Sequence, residues 1–473
     1  MSHNPRFSLA DVCKWLSIGL PTTFEDIVFN GVSVDSRNDC SGKLFVGIEG
    51  NKTNGGLFYG EGFRRGARAA IVDLSVVKGR GDGFHTVDGK PLIVVEDSLT
   101  ALKRCARGYL SRLKSVCVIA ITGSCGKTTT KEMLYLILKN HKRVVKSPES
   151  YNNTLGVSLT ILSAPLDTEI LILEFGTSAP GEIGALCDIA QPDISVLTAV
   201  GAAHLEGLGS IEGVFREKTT IIRRTKNGGS AVINADAVDT EAVIAPCSVR
   251  KVLVSTKSQK ADLVTESLRR EEGYVRFRIG ELEGRLNTDA FHLVSDALCA
   301  IAAAELVGVS RKQAIKALEE FSPSNMRMEQ REIDGIRLIN DCYNANFLSV
   351  CAAVAHLGSL SQYKRRIFIF GDMLELGAES ESLHRKIGER IALSGIDVLV
   401  CIGSFSKVSA EAASRLGLKQ VFQFGSVEDA SEFLNSFVQP QDVILTKASR
   451  KMRLESLINR FSCRKNRRED GVA

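Results

Sequence analysis

Short apolar runs alternate with segments of helical spacing along most of the chain, and the texture changes twice. Up to about residue 108, runs such as Leu44-Phe45-Val46, Ala69-Ala70-Ile71-Val72 and Leu92-Ile93-Val94-Val95 are split by turn residues, which predicts a small α/β unit. From Tyr109 onward, the continuous apolar run 116–121 predicts a strand buried on both faces. Segment 127–139 follows it with Met133, Leu134, Ile137 and Leu138 at helical spacing. Further apolar runs lie at 170–173, 194–197 and 231–233. Between about 250 and 290 the pattern turns to alternation (Val275, Phe277, Ile279), which predicts an antiparallel patch. The alanine-rich segment 297–307 predicts a buried helix.

After Pro323, strand-like runs recur at 336–339, 367–370, 398–401, 421–424 and 443–445, with helix-like segments between them. Such alternation predicts a doubly wound parallel sheet. The fingerprint G-x-G-x-x-G is missing after the first of these strands, so this Rossmann-like unit is not read as a dinucleotide domain. The chain has 473 residues, and at roughly 100–200 residues per domain that is about three units. The expected fold class is therefore α/β with three domains. These are a small α/β unit over residues 1–108, a phosphate-loop unit with a mostly parallel sheet over 109–322, and a Rossmann-like unit over 323–473.

Composition narrows the class of protein. A hydrophobic fraction of 44% and a charged fraction of 24% are ordinary for a soluble globular chain, with no need of disulfide staples. The net charge of +5 is slight for this length, and the basic cluster Arg464, Lys465, Arg467 and Arg468 reads as a solvated tail. Nucleic acid is not an expected partner. No apolar run approaches the roughly 18–20 residues of a membrane helix, and residues 1–10 have no signal-peptide core. The twelve cysteines stand singly, without a Cys-x-x-Cys pair, as reduced thiols in a cytoplasmic enzyme would.

The chemistry starts at Thr122-Gly123-Ser124-Cys125-Gly126-Lys127-Thr128-Thr129-Thr130, between the buried strand and the helix. That is the setting of a phosphate loop. Its glycines let backbone N–H groups turn inward around phosphate oxygens, and the helix N-terminus adds partial positive charge. Lys127 supplies a point charge to the β- and γ-phosphates, and the Thr128 hydroxyl is placed to ligate Mg²⁺. The common pattern has glycine six positions before the lysine. Ile121 stands there, so this is a shorter variant. Cys125 reads as a small filler, with a redox switch as the alternative.

Glu174 ends the run 170–173 and is a carboxylate placed to hold Mg²⁺ beside the phosphate loop. His204, in Gly201-Ala202-Ala203-His204-Leu205-Glu206, follows the run 194–197 at the strand end where α/β sheets bind ligands. Lys218 alone would read as a solvated helix lysine.

Taken in order, these segments resemble the Mur ligase family over nearly the whole chain. Val34-Asp35-Ser36-Arg37 with Gly42-Lys43-Leu44-Phe45-Val46 resembles the family's UDP-binding stretch. Asn152-Asn153 with Leu155-Gly156 resembles a segment near its substrate. Met326-Arg327-Met328-Glu329 resembles the segment whose arginine reaches the γ-phosphate. Asn340-Asp341-Cys342-Tyr343-Asn344-Ala345-Asn346 is the most discriminating match. Its Tyr-Asn-Ala-Asn form is similar to the member that adds D-alanyl-D-alanine. Gly371-Asp372-Met373-Leu374-Glu375-Leu376-Gly377 with His384, and Lys447-Ala448-Ser449-Arg450, support the same member. The Asp-Asn-Pro-Arg signature of the diaminopimelate-adding sister is absent. Departures occur at Asn54-Gly55-Gly56, where the family shows Asp-Gly-His, and at Cys125, Thr154, Asp296 and Phe347, where it has Asn, Glu, Asn and Pro.

The resemblance implies an ATP- and Mg²⁺-dependent ligase of three domains, joining D-alanyl-D-alanine to a UDP-linked muramoyl tripeptide through an acyl phosphate. It implies catalytic roles for Lys127, His204, Lys218 and Arg327. Nucleotide contacts fall to residues 123–129, Asp296, Arg327 and Asp341. Substrate contacts fall to Ser33, Asp35, Ser36, Arg37, Asn152, Asn153, Tyr343, Asn344 and Asn346. The metal falls to Thr128, Glu174, His204 and Lys218, the last as a CO₂ carbamate. Partners would be small molecules only, and the enzyme a monomer. A folylpolyglutamate synthetase, a sister Mur ligase and a non-catalytic nucleotide-binding regulator are the rival readings. The intact set of site residues argues against the last.

Overall fold

A computed structural model describes residues 5–77, 79–243, 248–271, 273–323 and 326–458. The basic cluster at 464–468 lies outside them. The chain is mixed α/β with three mostly parallel sheets. Among the described residues no helix is long and apolar enough to cross a membrane.

The first sheet runs in the order Val32–Ser33, Leu44–Val46, Ala69–Asp73, Lys90–Val95, Gly83–Val87. Only its last pair is antiparallel. The second has seven parallel strands: Leu263–Val264, Arg250–Ser255, Ser230–Asn234, Ile194–Leu197, Cys117–Thr122, Ile170–Glu174 and Val144–Lys146. The third has Glu329–Ile333 antiparallel at its edge, then Ile336–Asn340, Asp442–Lys447, Arg365–Gly371, Val398–Ile402 and Gln420–Phe424 in parallel.

The continuous apolar runs have a direct explanation. In Cys117–Thr122, Ile119 and Ile121 enter one buried cluster with Met133, Leu134 and the helix Leu293–Leu306, while Val118 and Ala120 enter another with the helices Ser98–Leu110 and Thr154–Leu162. Successive side chains point to opposite faces, so a sheet covered on both sides needs every position apolar. The third sheet repeats this, with Phe368 and Phe370 on one face and Ile367 and Ile369 on the other.

The expected antiparallel patch is narrower than the alternation suggested. Only Ser267–Glu271, Tyr274–Ile279 and Leu282–Leu286 form it. Arg250–Ser255 and Leu263–Val264 instead extend the parallel sheet. The alternation belongs to Tyr274–Ile279, with burial on every second residue, whereas Arg250–Ser255 carries the run Val252-Leu253-Val254 and does not alternate. The helix Ser98–Leu110 spans the division placed between residues 108 and 109, and it packs against both neighbouring sheets.

Candidate active site

The phosphate-loop strand Cys117–Thr122 lies between Ile170–Glu174, reached after the edge strand Val144–Lys146, and Ile194–Leu197 on the other side. The chain thus switches direction across the sheet at this strand. The crevice beyond the carboxyl ends of such strands is where open α/β sheets bind ligands. The third sheet turns the carboxyl ends of Ile336–Asn340 and Asp442–Lys447 to the same space. The result is one cleft of about 700 Å³, lined by Ser124–Thr129, Glu174, His204, Asp296, Arg327, Asp341, Lys447 and their neighbours.

The loop's shape is held by contacts within the protein. Gly123 has φ +155 and Gly126 φ +83. A Cβ at Gly123 would lie 2.0 Å from Thr198 Oγ1, and one at Gly126 2.2 Å from Asp296 Oδ1. Only glycine fits either place. Ser124 N–H donates to the Ala199 carbonyl at 2.8 Å and Ser124 Oγ to that of Gly201 at 3.0 Å. Lys127 Nζ donates to the Gly123 carbonyl at 2.8 Å. Burial holds its pKa below the usual lysine value. Thr128 Oγ1 donates to Glu174 Oε2 at 2.9 Å. Glu174 also accepts from Asn152 Nδ2 at 3.2 Å and lies 3.7 Å from the fully buried Lys131 Nζ. Burial pushes the Glu174 pKa up, but Lys127 and Lys131 outweigh it, so the net shift is downward and the group is an anion at neutral pH. A hydroxyl and a carboxylate side by side at the phosphate loop suit a hard divalent cation.

Arg327 enters from the third sheet's side. Its guanidinium stacks on the Tyr343 ring at 3.8 Å, and its buried Nε has no hydrogen-bond partner among the described residues. A buried donor left open beside a phosphate loop awaits an acceptor. Tyr343 OH and Ser150 Oγ are 2.8 Å apart, Asn346 Nδ2 donates to the Ser124 carbonyl at 2.8 Å, and Asn344 lines the same cleft. Asn346 also caps the helix Phe347–Gly358, just as Asn153 caps Thr154–Leu162.

Lys218 is buried beside this cleft, and burial, with Lys127 adding to it, pushes its pKa down to about 7. It is no solvated helix lysine. Cys125 is pushed up to about 11 by burial, with Asp296 adding to it, so the thiol is neutral at physiological pH and not activated for redox chemistry. Asp296 is pushed up to about 8 by burial, with Thr130 and Arg327 opposing.

Ser33, Asp35, Ser36 and Arg37 lie away from this cleft, at the edge strand of the first sheet. Arg37 Nη2 donates to Asp35 Oδ2 at 2.8 Å, and this bidentate pair holds the carboxyl down at about 2. At Gly56 a Cβ would meet Val76 Cγ2 at 2.7 Å and Asn54 Oδ1 at 2.9 Å. A side chain at this position would have to displace the side chains of Val76 and Asn54.

Two lining residues, Lys447 and His292, and one neighbour of the cleft, Glu375, were given no site role from sequence. Lys447 is buried and donates to Asp341 Oδ2 at 2.5 Å and to the Asn344 carbonyl at 3.1 Å. Its position at the end of a buried apolar run was the available signal. His292 lines the cleft with a pKa pushed down to about 4 by burial. Glu375 reaches His204 Nδ1 at 2.7 Å. No sequence pattern marks His292, while Glu375 stands in the matched segment 371–377, which by itself gave it no role.

The comparisons agree with this geometry. A family model for the Mur ligase middle domain matches residues 121–304, and one for the Mur ligase glutamate ligase domain matches residues 326–450. The chain is similar to the UDP-N-acetylmuramoyl-tripeptide–D-alanyl-D-alanine ligase of Bacillus subtilis, at 33% identity over 92% of this chain and 93% of that one. It is 29% identical to the ligase of the same name from Escherichia coli, over 92% and 94% of the two chains. Among solved structures, MurF from Acinetobacter baumannii superposes with a TM-score of 0.86 at 26% identity, covering 97% of this chain and 99% of that one. MurF ligase from Thermotoga maritima in complex with ADP gives 0.79 at 28% identity, over 93% and 98%. Such likeness runs through all three sheets and nearly end to end, and the chain belongs to the Mur ligase family.

Proposed function

We propose that this chain is the ATP-dependent ligase that adds D-alanyl-D-alanine to a UDP-N-acetylmuramoyl-tripeptide in peptidoglycan precursor synthesis. One observation carries the reading most directly: Lys127 and Arg327, brought from different sheets, line one cleft, with the Tyr343-Asn344-Ala345-Asn346 segment beside them. The relatives' names and the ADP complex of one neighbour support the nucleotide and the acceptor.

The tripeptide's terminal carboxylate attacks the γ-phosphate of ATP, giving an acyl phosphate and ADP. The dipeptide amine then attacks the acyl carbon, and phosphate leaves. The difficulty is bringing one anion to another. Lys127 leaves the Gly123 carbonyl for the β- and γ-phosphates, and the open Arg327 Nε–H turns to the transferring group. The loop N–H groups and the N-terminus of Lys127–Leu138 hold the phosphates. Thr128 and Glu174 would hold Mg²⁺, with His204 and a carbamylated Lys218 at a second position, and the metal would supply charge neutralisation. The depressed Lys218 leaves part of its amine neutral near pH 7, which is the form that takes up CO₂. Docking the third sheet over the loop excludes water from the acyl phosphate. The Asp35–Arg37 edge of the first sheet receives the UDP moiety. Residues 1–108, 109–322 and 323–473 are the corresponding domains. In this reading the enzyme is a cytoplasmic monomer.

Incubation with ATP, Mg²⁺, UDP-muramoyl tripeptides and D-alanyl-D-alanine should give a pentapeptide product by mass spectrometry. Product formed only with single amino acids or with folate and glutamate would overturn the reading, as would ATP binding with no amide product from any acceptor.

A further inference from the structure

We propose that Glu375 is a positioning residue for His204, presenting the imidazole's free nitrogen to a divalent cation only when the third sheet is docked on the second. This rests on the reading above that such a cation sits at the nucleotide phosphates.

His204 Nδ1 lies 2.7 Å from Glu375 Oε2. An ionised carboxylate only accepts, so the nitrogen facing it carries the proton and Nε2 keeps its lone pair. That is the arrangement by which metal-ligating histidines are fixed in tautomer and ring orientation. The contact is two-pronged, because the Glu206 N–H donates to the Glu375 carbonyl at 3.1 Å. His204 has φ +55 and Glu375 φ +64, both in the left-handed region. Such backbone persists only where the surroundings hold it.

Those surroundings are visible for Glu375. The three residues before it are each pinned from elsewhere in the third unit. Asp372 accepts from the N–H groups of Ser404, Phe405 and Ser406 at 3.0, 3.0 and 2.7 Å. Met373 N–H donates to His384 Nε2 at 3.0 Å, and Leu374 N–H to Ser449 Oγ at 2.8 Å. His384 is itself locked, donating from Nδ1 to the Ser380 carbonyl at 2.7 Å. Lys451 Nζ lies 3.6 Å from the other Glu375 oxygen. The loop therefore delivers one carboxylate, at one place, to a histidine on another sheet. Glu375 is 42% exposed on its side chain, so its removal leaves no cavity in the core.

The test uses Mn²⁺ as probe, read by electron paramagnetic resonance with and without ADP, on the full chain. Glu375→Ala should weaken Mn²⁺ binding in the presence of ADP by about 10–100-fold, the usual cost of losing such an orienting partner, with metal-free ADP affinity unchanged. Glu375→Gln should recover part of the loss, because its amide oxygen still accepts from Nδ1–H. His204→Ala should lose as much, and the double variant no more. Wild-type Mn²⁺ affinity in Glu375→Ala would overturn the proposal. So would an equal loss of ADP affinity with and without Mn²⁺, which marks a mere latch. If ADP fails to strengthen Mn²⁺ binding in the unaltered protein, the cation reading falls first and this inference with it.

Discussion

The Asn346 amide donates a 2.8 Å hydrogen bond to the Ser124 carbonyl, tying the third sheet to the phosphate loop across 222 residues of sequence. The same side chain caps the helix Phe347–Gly358 through Ser349 N–H. One residue thus fixes its own helix with its oxygen and the loop with its nitrogen. Asn346→Asp keeps a good cap but loses the donor and sets a carboxylate against a carbonyl. We expect little change in thermal midpoint and a fall in kcat/KM of about 10–100-fold, the size of one charge-adjacent hydrogen bond. Steady-state ligation kinetics beside a melting curve check this, and unchanged kinetics would detach the contact from catalysis.

Lys127 Nζ rests on the Gly123 carbonyl while Arg327 stacks on Tyr343, so each cation is parked on a partner it can leave. Lys127→Ala should lower ligation by at least about 100-fold, as loss of one preorganised electrostatic group does. Lys127→Arg should not restore it, because the planar fork cannot replace a compact ammonium in so close a loop. Phosphate or ADP release is the measurement, and near-normal turnover by the alanine variant would remove Lys127 from the reaction.

What sequence alone made legible follows from how local each signal is. The phosphate loop, Glu174 and the strand runs declare themselves through neighbours within a dozen residues. Glu329–Ile333 and Val144–Lys146 did not, because partly exposed edge strands rich in charge or only three residues long carry no apolar period. The Glu375 and Lys447 contacts were invisible for another reason. Each depends on a partner more than 100 positions away, and only the docking of separate segments makes the pair. Lys218 read alone looks solvated, and only the resemblance singled it out. Its neighbours on the helix Ile211–Arg223 look amphipathic, and its burial comes from what packs over that helix.

Asp296 gives a pH signature. It is buried against the loop, a Cβ-length from Gly126, with Arg327 the nearest opposing cation and Cys125 alongside. Its pKa rises from 3.8 to about 8. Below 3.8 the group is protonated in both folded and unfolded chains. Between 3.8 and about 8 the unfolded chain has shed a proton that the folded one keeps, so this contribution to stability is lost as pH rises through that window. Above 8 the new carboxylate also puts a negative charge against the phosphate loop at Gly126. ADP affinity should therefore fall about tenfold between roughly pH 7 and 9, a fraction of what one close like charge costs at intermediate dielectric. Asp296→Asn should flatten both profiles. Calorimetric titration across pH checks this, and parallel profiles for the two proteins would refute it.

Asp289 holds the second and third units together away from the cleft. Arg337 Nη2 donates to its Oδ2 at 2.6 Å and Gln330 Nε2 to its Oδ1 at 3.0 Å, while Arg270 Nε donates to its carbonyl at 2.9 Å. His356 Nε2 is 3.4 Å from Oδ1, with its pKa pushed down by burial. Asp289→Ala would strand the Arg337 charge with 14% of its side chain exposed. Breaking such a buried pair from one side costs about 3–5 kcal/mol. The first denaturant transition should move to lower concentration, with its unfolding free energy reduced by that amount, since the units need not unfold as one. Removing Arg337 as well, in Asp289→Ala/Arg337→Leu, should recover a substantial part, because the penalty comes from the orphaned charge more than from the lost attraction. A double variant no more stable than the single one would show instead that the network's worth lies in joining the two units.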